Sequence, residues 1–92
     1  MDFHPPEIHV THLFGNLSGV NLTTGSGNTS IGNSTLGYLT TGIGNTVIGY
    51  GSGSTITTGS NNICIGIEAN VPNPTGYGQI RIGNNNITYA GI

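Results

Sequence analysis

Chemistry in this chain would have to come from very few side chains. The titratable set is Asp2, His4, Glu7, His9, His12, Cys64, Glu68 and Arg81, with Tyr38, Tyr50, Tyr77 and Tyr89 as weak acids. Four of these crowd into "HPPEIHVTH", and metal binding is the chemistry that segment could support. Imidazole nitrogens suit first-row transition metals, and a threefold axis would multiply each histidine into a facial or octahedral nitrogen set. His9 and His12 are the candidates, but they stand three residues apart, and on a strand such residues face opposite sides. The plainer reading is that they are polar residues of a cap, so no metal site and no cofactor is expected.

Catalysis has even less to draw on. No pair of acids falls inside the regular part of the chain, and no Ser, His and Asp can be set together by spacing. Cys64 stands alone, so no intrachain disulfide is possible, and its place in a column of Leu, Ser, Val and Arg is that of a packing residue. "GSGNTSIG" and "GYGSGS" look superficially like phosphate loops, yet no Lys follows and no helix is available to receive an anion. The chain reads as a non-enzyme.

Composition narrows the partners. In 92 residues there are only four charged side chains, formal net charge is -2, and Arg81 is the one cation. A single cation cannot track phosphates, which excludes nucleic acid and a basic membrane-binding face. No apolar run approaches the roughly 20 residues of a membrane span, and "MDFHPPEIHV" lacks the basic start and apolar stretch of a signal peptide. Gly, Asn, Thr and Ser dominate, but 34% of residues are hydrophobic and fall at fixed places. That regularity argues against disorder.

The fixed places define a repeat. "TTGSGNTSIG" opens at Thr23, "TTGIGNTVIG" at Thr40 and "TTGSNNICIG" at Thr57, each start 17 residues after the last. Extended to both sides, five units without insertion cover 6–22, 23–39, 40–56, 57–73 and 74–90. Position 10 of the unit is Gly15, Gly32, Gly49, Gly66 and Gly83; position 9 is Phe14, Ile31, Ile48, Ile65 and Ile82. A glycine in every unit marks a corner where the backbone needs positive φ or comes close to its neighbour.

These elements predict an all-β fold, a β-solenoid or β-roll of about five 17-residue coils with two short strands per coil. Dispersed Gly and Pro leave helix no case. Position 7 (His12, Thr29, Thr46, Ile63, Ile80) and position 9 share one strand face, assigned here to the core, with position 8 (Leu13, Ser30, Val47, Cys64, Arg81) outward. Leu22, Leu39 and Ile56 at position 17 supply the opposite wall. On this reading Ile48 is a sensitive core residue, Ser52 a tolerant corner, and Arg81 an outward cation reaching solvent, Glu68 or a neighbouring chain. Coils about 4.8 Å apart would stack Asn28, Asn45 and Asn62 into an amide ladder. Residues 1–22 read as an N-terminal cap with an atypical first coil, 23–90 as a repeat shaft and 91–92 as a stub leading to a further domain.

The strings "NTSIG" (28–32), "NTVIG" (45–49) and "NICIG" (62–66) resemble the repeats of trimeric autotransporter adhesin heads and of phage or giant-virus tail-fibre shafts, over residues 23–83. That resemblance implies a left-handed β-roll in which three chains associate side by side as a parallel homotrimer, with the two apolar positions flanking a small residue pointing inward. "GQIRIGNNNITYAGI" is similar to the junction leading into an endosialidase-type intramolecular chaperone (peptidase S74) domain, which implies a C-terminal partner of that kind. The 17-residue unit is longer than that of the adhesin heads.

The expectation is a structural segment of a trimeric viral, phage or cell-surface attachment fibre. A carbohydrate-binding head is the alternative, with Tyr38 and Tyr50 as stacking platforms for a host-surface glycan. An ice-binding solenoid is the third reading. It is disfavoured because the adjacent threonines at positions 1 and 2 face opposite ways and cannot form the paired outward rows such a surface uses.

Overall fold

The computed structural model describes residues 11–88. His9, with the rest of residues 1–10 of the expected cap, and the expected stub at 91–92 lie outside the described residues. Five short strands form one parallel sheet: β1 (His12–Phe14), β2 (Thr29–Ile31), β3 (Thr46–Ile48), β4 (Ile63–Ile65) and β5 (Ile80–Ile82), in that order across the sheet. Every strand residue pairs with its counterpart 17 positions on: Thr29 with Thr46 and Ile31 with Ile48, then Thr46 with Ile63 and Ile48 with Ile65. The chain is an all-β solenoid, and the period in the sequence is the register of the sheet.

Each coil holds one strand rather than two. The wall at positions 1 to 3 is bonded from coil to coil, Thr23 N–H to Thr40 O at 3.0 Å, Thr40 N–H to Thr57 O at 2.9 Å and Thr57 N–H to Pro74 O at 3.0 Å. Bends at the paired threonines Thr23–Thr24, Thr40–Thr41 and Thr57–Thr58 interrupt the ladder, so among the described residues the Ser60–Tyr77 bridge alone is regular beyond the five strands.

The corner glycines are sterically required. Gly32 and Gly49 hold φ of 137° and 124°, and a Cβ on Gly49 would stand 2.5 Å from the carbonyl oxygen of Gly66 in the next coil. No L side chain fits there without displacing backbone.

The strand faces are the reverse of the sequence expectation. Ser30, Val47 and Cys64, at position 8, are fully buried inside the coil, whereas Ile31, Ile48 and Ile65, at position 9, are 46%, 41% and 38% exposed, and Phe14 and Ile82 are more so. Alternation reveals two faces without saying which is inside. The interior is only one side chain deep, and a large residue in every coil at position 9 would not fit beside the wall of Leu39 and Ile56, both fully buried, with Leu22 packed against them.

Volume is matched across that narrow interior. Where position 8 is a large aliphatic, position 14 is glycine: a Cβ on Gly19 would meet Leu13 Cδ1 at 2.6 Å, and one on Gly53 would meet Val47 Cγ1 at 2.6 Å. Beside Ser30, position 14 is Leu36, fully buried. Ser52, expected to be a tolerant corner, is also fully buried, and its hydroxyl donates to Cys64 O at 3.0 Å.

The reversal is testable on chains kept dilute enough to be separate. Ile56→Ala, which empties the inner wall, should lower the unfolding free energy in urea by about 2–5 kcal/mol, while Ile48→Ala should stay within about 1 kcal/mol of the parent. Equal losses would restore Ile48 to the core.

Candidate functional site

Two features could do work: the amide ladder inside the coil and the apolar strand face outside it. Position 6 shares a strand face with position 8, so its asparagines point inward, and Asn28, Asn45 and Asn62 are fully buried. Asn45 is saturated. Its backbone N–H and its Nδ2 donate to Asn28 Oδ1 at 2.9 and 3.0 Å, and Nδ2 also donates to Gly59 O at 2.9 Å. Its Oδ1 accepts from Asn62 N–H at 3.0 Å and Asn62 Nδ2 at 3.1 Å.

No donor or acceptor of the Asn45 amide is left over, which is the condition under which a buried amide stabilises rather than costs. In the fifth coil Gln79 takes the place of Asn, donating Nε2 to Asn62 Oδ1 at 3.1 Å and to Asn73 O at 2.8 Å. At the other end position 6 is Thr11, and its buried hydroxyl oxygen finds no partner among the described residues. The ladder stops there.

The residues expected to carry chemistry are dispersed. His12 is exposed on β1 and stacks in register over Thr29, not over another imidazole. Among the described residues no three His, Cys, Asp or Glu side chains come together. Cys64 is a buried free thiol, and burial pushes its pKa up, opposed more weakly by backbone hydrogen bonding and by the Arg81 charge.

Arg81 is not outward as expected. It occupies the inward column, half-buried, where Nε donates to Gly83 O at 2.9 Å and a terminal nitrogen to Asn85 Oδ1 at 2.8 Å. It borders a polar cleft of about 380 Å³ with Glu68, Asn70, Asn84, Asn85 and Asn86.

Tyr38 and Tyr50 belong to different columns and are not brought to one platform. Tyr38, 65% exposed, lines a shallow apolar cleft of about 280 Å³ with Leu17, Val20 and Asn21, and Tyr50 is not among the lining residues. The position-1 threonines are occupied structurally: Thr23 Oγ1 donates to Thr40 O at 3.1 Å, and Thr40 and Thr57 repeat the contact to the next coil at 3.3 Å.

That leaves the outer strand face. Phe14, Ile31, Ile48, Ile65 and Ile82 form one apolar column along the sheet, flanked at position 7 by Ile63 and Ile80 and at position 11 by Tyr50 and Ile67. This contiguous apolar column is the candidate docking surface of the described residues. No known protein family matches the sequence, and neither a curated protein nor a solved structure is similar to it.

Two measurements probe the interior. Asn45→Asp places a carboxylate oxygen against Gly59 O and should cost about 3–5 kcal/mol at neutral pH, with part recovered on acidification because the protonated acid can donate again; a neutral-pH loss below 1 kcal/mol would remove the ladder from the list of stabilising elements. For Cys64 the folded pKa lies above its ordinary value of 9.0, so the unfolded chain releases the proton first. The thiol's contribution is therefore full below pH 9 and is lost as pH rises above it. Cys64→Ala should flatten that part of the alkaline decline, and the native thiol should resist alkylation until the chain is unfolded.

Proposed function

We propose that this chain is a non-enzymatic structural segment of a fibre, in which copies of the solenoid lie side by side with their outer strand faces covered. The observation that carries this reading is the exposed column Phe14, Ile31, Ile48, Ile65 and Ile82. Its residues recur at every coil although the inside of the coil does not use them. A rod with a dry stripe along its length is suited to lateral association and to holding a distal element away from its base. Such a segment would work on the outside of a virion or a cell, as its resemblance to fibre and adhesin repeats implies.

Three copies satisfy the geometry better than two. Five rungs of strand spacing and the reach of positions 7 to 11 give a face of roughly 24 by 14 Å, on the order of 300 Å² in plan, against about 800 Å² per partner in a stable interface. Face-to-face pairing would bury this patch alone. In a closed ring of three each chain meets two neighbours, so the flanks add to the buried area.

A glycan-binding head is the second reading, and the cleft beside Tyr38 supports it: an exposed aromatic next to the Asn21 amide is chemistry that stacks on and hydrogen-bonds to sugars. An ice-binding role has less support, since the position-1 hydroxyls already bond backbone.

Light scattering coupled to gel filtration should return three chains per particle. Ile48→Asp should release monomers that keep the β circular dichroism of the parent. A species of one 9.4 kDa chain at every concentration would refute the assembly, and binding to a glycan array lost on Tyr38→Ala would favour the second reading.

A further inference from the structure

Glu68 and Arg81 are the only Asp, Glu, Lys or Arg side chains among the described residues, and both line one cleft. That cleft holds about 380 Å³ at the corner between the fourth and fifth coils, where Asn70, Asn84, Asn85 and Asn86 complete its lining. Its lining is entirely polar.

The two charges do not answer each other. Arg81 stands in the inward column, in register with Cys64, and its guanidinium donates to Gly83 O at 2.9 Å and to Asn85 Oδ1 at 2.8 Å. Those two bonds fix the plane of the group and leave further N–H donors uncommitted. Glu68 is held through its backbone, with N–H to Tyr50 O at 2.7 Å, its carbonyl accepting from Asn70 Nδ2 at 3.3 Å, and φ of 51°. Its exposed carboxylate takes no hydrogen bond among the described residues.

The four amides divide in the same way. Asn84 is a wall of the cleft, since its Nδ2 donates to Ile67 O at 2.8 Å and its Oδ1 accepts from Asn86 N–H at 2.8 Å. Asn70 is committed as well, accepting from Ser54 Oγ at 3.2 Å. Asn85 Nδ2 and the Asn86 side-chain amide have no partner among the described residues, so donors are left over beside Arg81 and an acceptor is left over at Glu68.

We infer that this cleft binds a small zwitterion of the amino-acid class, its carboxylate on the Arg81 guanidinium and its ammonium on the Glu68 carboxylate. A simple anion would be repelled by Glu68, and a simple cation by Arg81. A neutral sugar would set only dipoles against both charges. A zwitterion answers the two at once, and the planar guanidinium fork matches a carboxylate. Partial burial of Arg81 lowers the screening that such a pair meets on an open surface. The volume lies near the lower end of the range for small-molecule sites, about 300–1,000 Å³. Association of copies is not required, because Glu68, Asn70, Asn85 and Asn86 stand at positions 12 to 14, past the strand face. Closing the last loop through Gly83 and Asn85 is the plainer role for Arg81, and it leaves the Glu68 carboxylate without one.

The test is a titration of the full chain followed by backbone amide chemical shifts. Glycine, β-alanine and γ-aminobutyrate carry the same two charges at increasing separation, with propionate and propylamine as single-charge controls. At least one of the three should give saturable shifts centred on residues 68–70 and 81–86, and should bind about tenfold more tightly than either control. Shifts that stay linear in concentration for all three would overturn the inference. Tighter binding of glucose would overturn the zwitterion, and tighter binding of phosphoethanolamine would overturn the carboxylate.

Glu68→Gln changes an exposed side chain whose carboxylate holds nothing in the fold. It should weaken the best zwitterion by about tenfold and leave propionate bound as well or better, because a repelling charge is gone. Equal weakening of both ligands would overturn the ammonium contact. Arg81→Gln should abolish binding of both, and retained binding in a folded Arg81→Gln chain would overturn the assignment. Should that variant fail to fold, the Glu68→Gln comparison decides alone.

Discussion

Everything in this molecule depends on stacking at strand spacing. A parallel sheet in which each residue lies over its counterpart one coil earlier places like groups about 4.8 Å apart along the whole rod, so any side chain inside must tolerate a copy of itself directly above and below. Asparagine does more than tolerate it. Its amide has two donors and an oxygen with two lone pairs, and Asn45 uses all of them on the adjoining coils and the local backbone. The same repetition disfavours charge inside; Arg81, in the inward column of the fifth coil, is accommodated because its guanidinium bonds to backbone and amide oxygens.

The second consequence is a core that is narrow and half polar. Leu36, Leu39, Val47 and Ile56 share the interior with Asn28, Ser30, Thr35, Asn45, Ser52 and Asn62. The hydroxyls are spent on one another or on backbone, as in the Ser18, Ser30 and Thr35 cluster at 2.6 and 2.7 Å. Hydrogen bonds here set which residue lies over which, and apolar packing fills the space left between them. That division explains how the chain folds with so little aliphatic volume inside.

Much of this was legible before any coordinates. Three decapeptides gave the period, the period gave the parallel register, and the glycine at position 10 gave the corner. What misled was parity. Ile at position 9 looks like core because globular proteins bury isoleucine, and two-residue alternation cannot say which face is inside. Two signals in the sequence would have decided it. The Asn column at position 6 and the variable column at position 8 share a face, and only a buried face can saturate a ladder of amides. Position 8 also trades volume with position 14, Leu13 with Gly19, Ser30 with Leu36 and Val47 with Gly53, as facing core positions do. The inward turn of Arg81 had no such signal, because it depends on bonds made within its own final loop.

Correcting parity changes what the isoleucines mean. A residue that recurs in a core column is explained by folding alone. A column of Phe14, Ile31, Ile48, Ile65 and Ile82 on the outside is not, since the coil closes through Asn, Ser, Val and Leu whatever stands there. Exposed isoleucine opposes solubility in a chain with only four charged residues, and the proposed association would offset it. A surface that repeats at the period of the fold is best matched by a surface with the same period. A second copy of the chain would supply one, so the proposed association draws on the outer face and not on the smallness of the core.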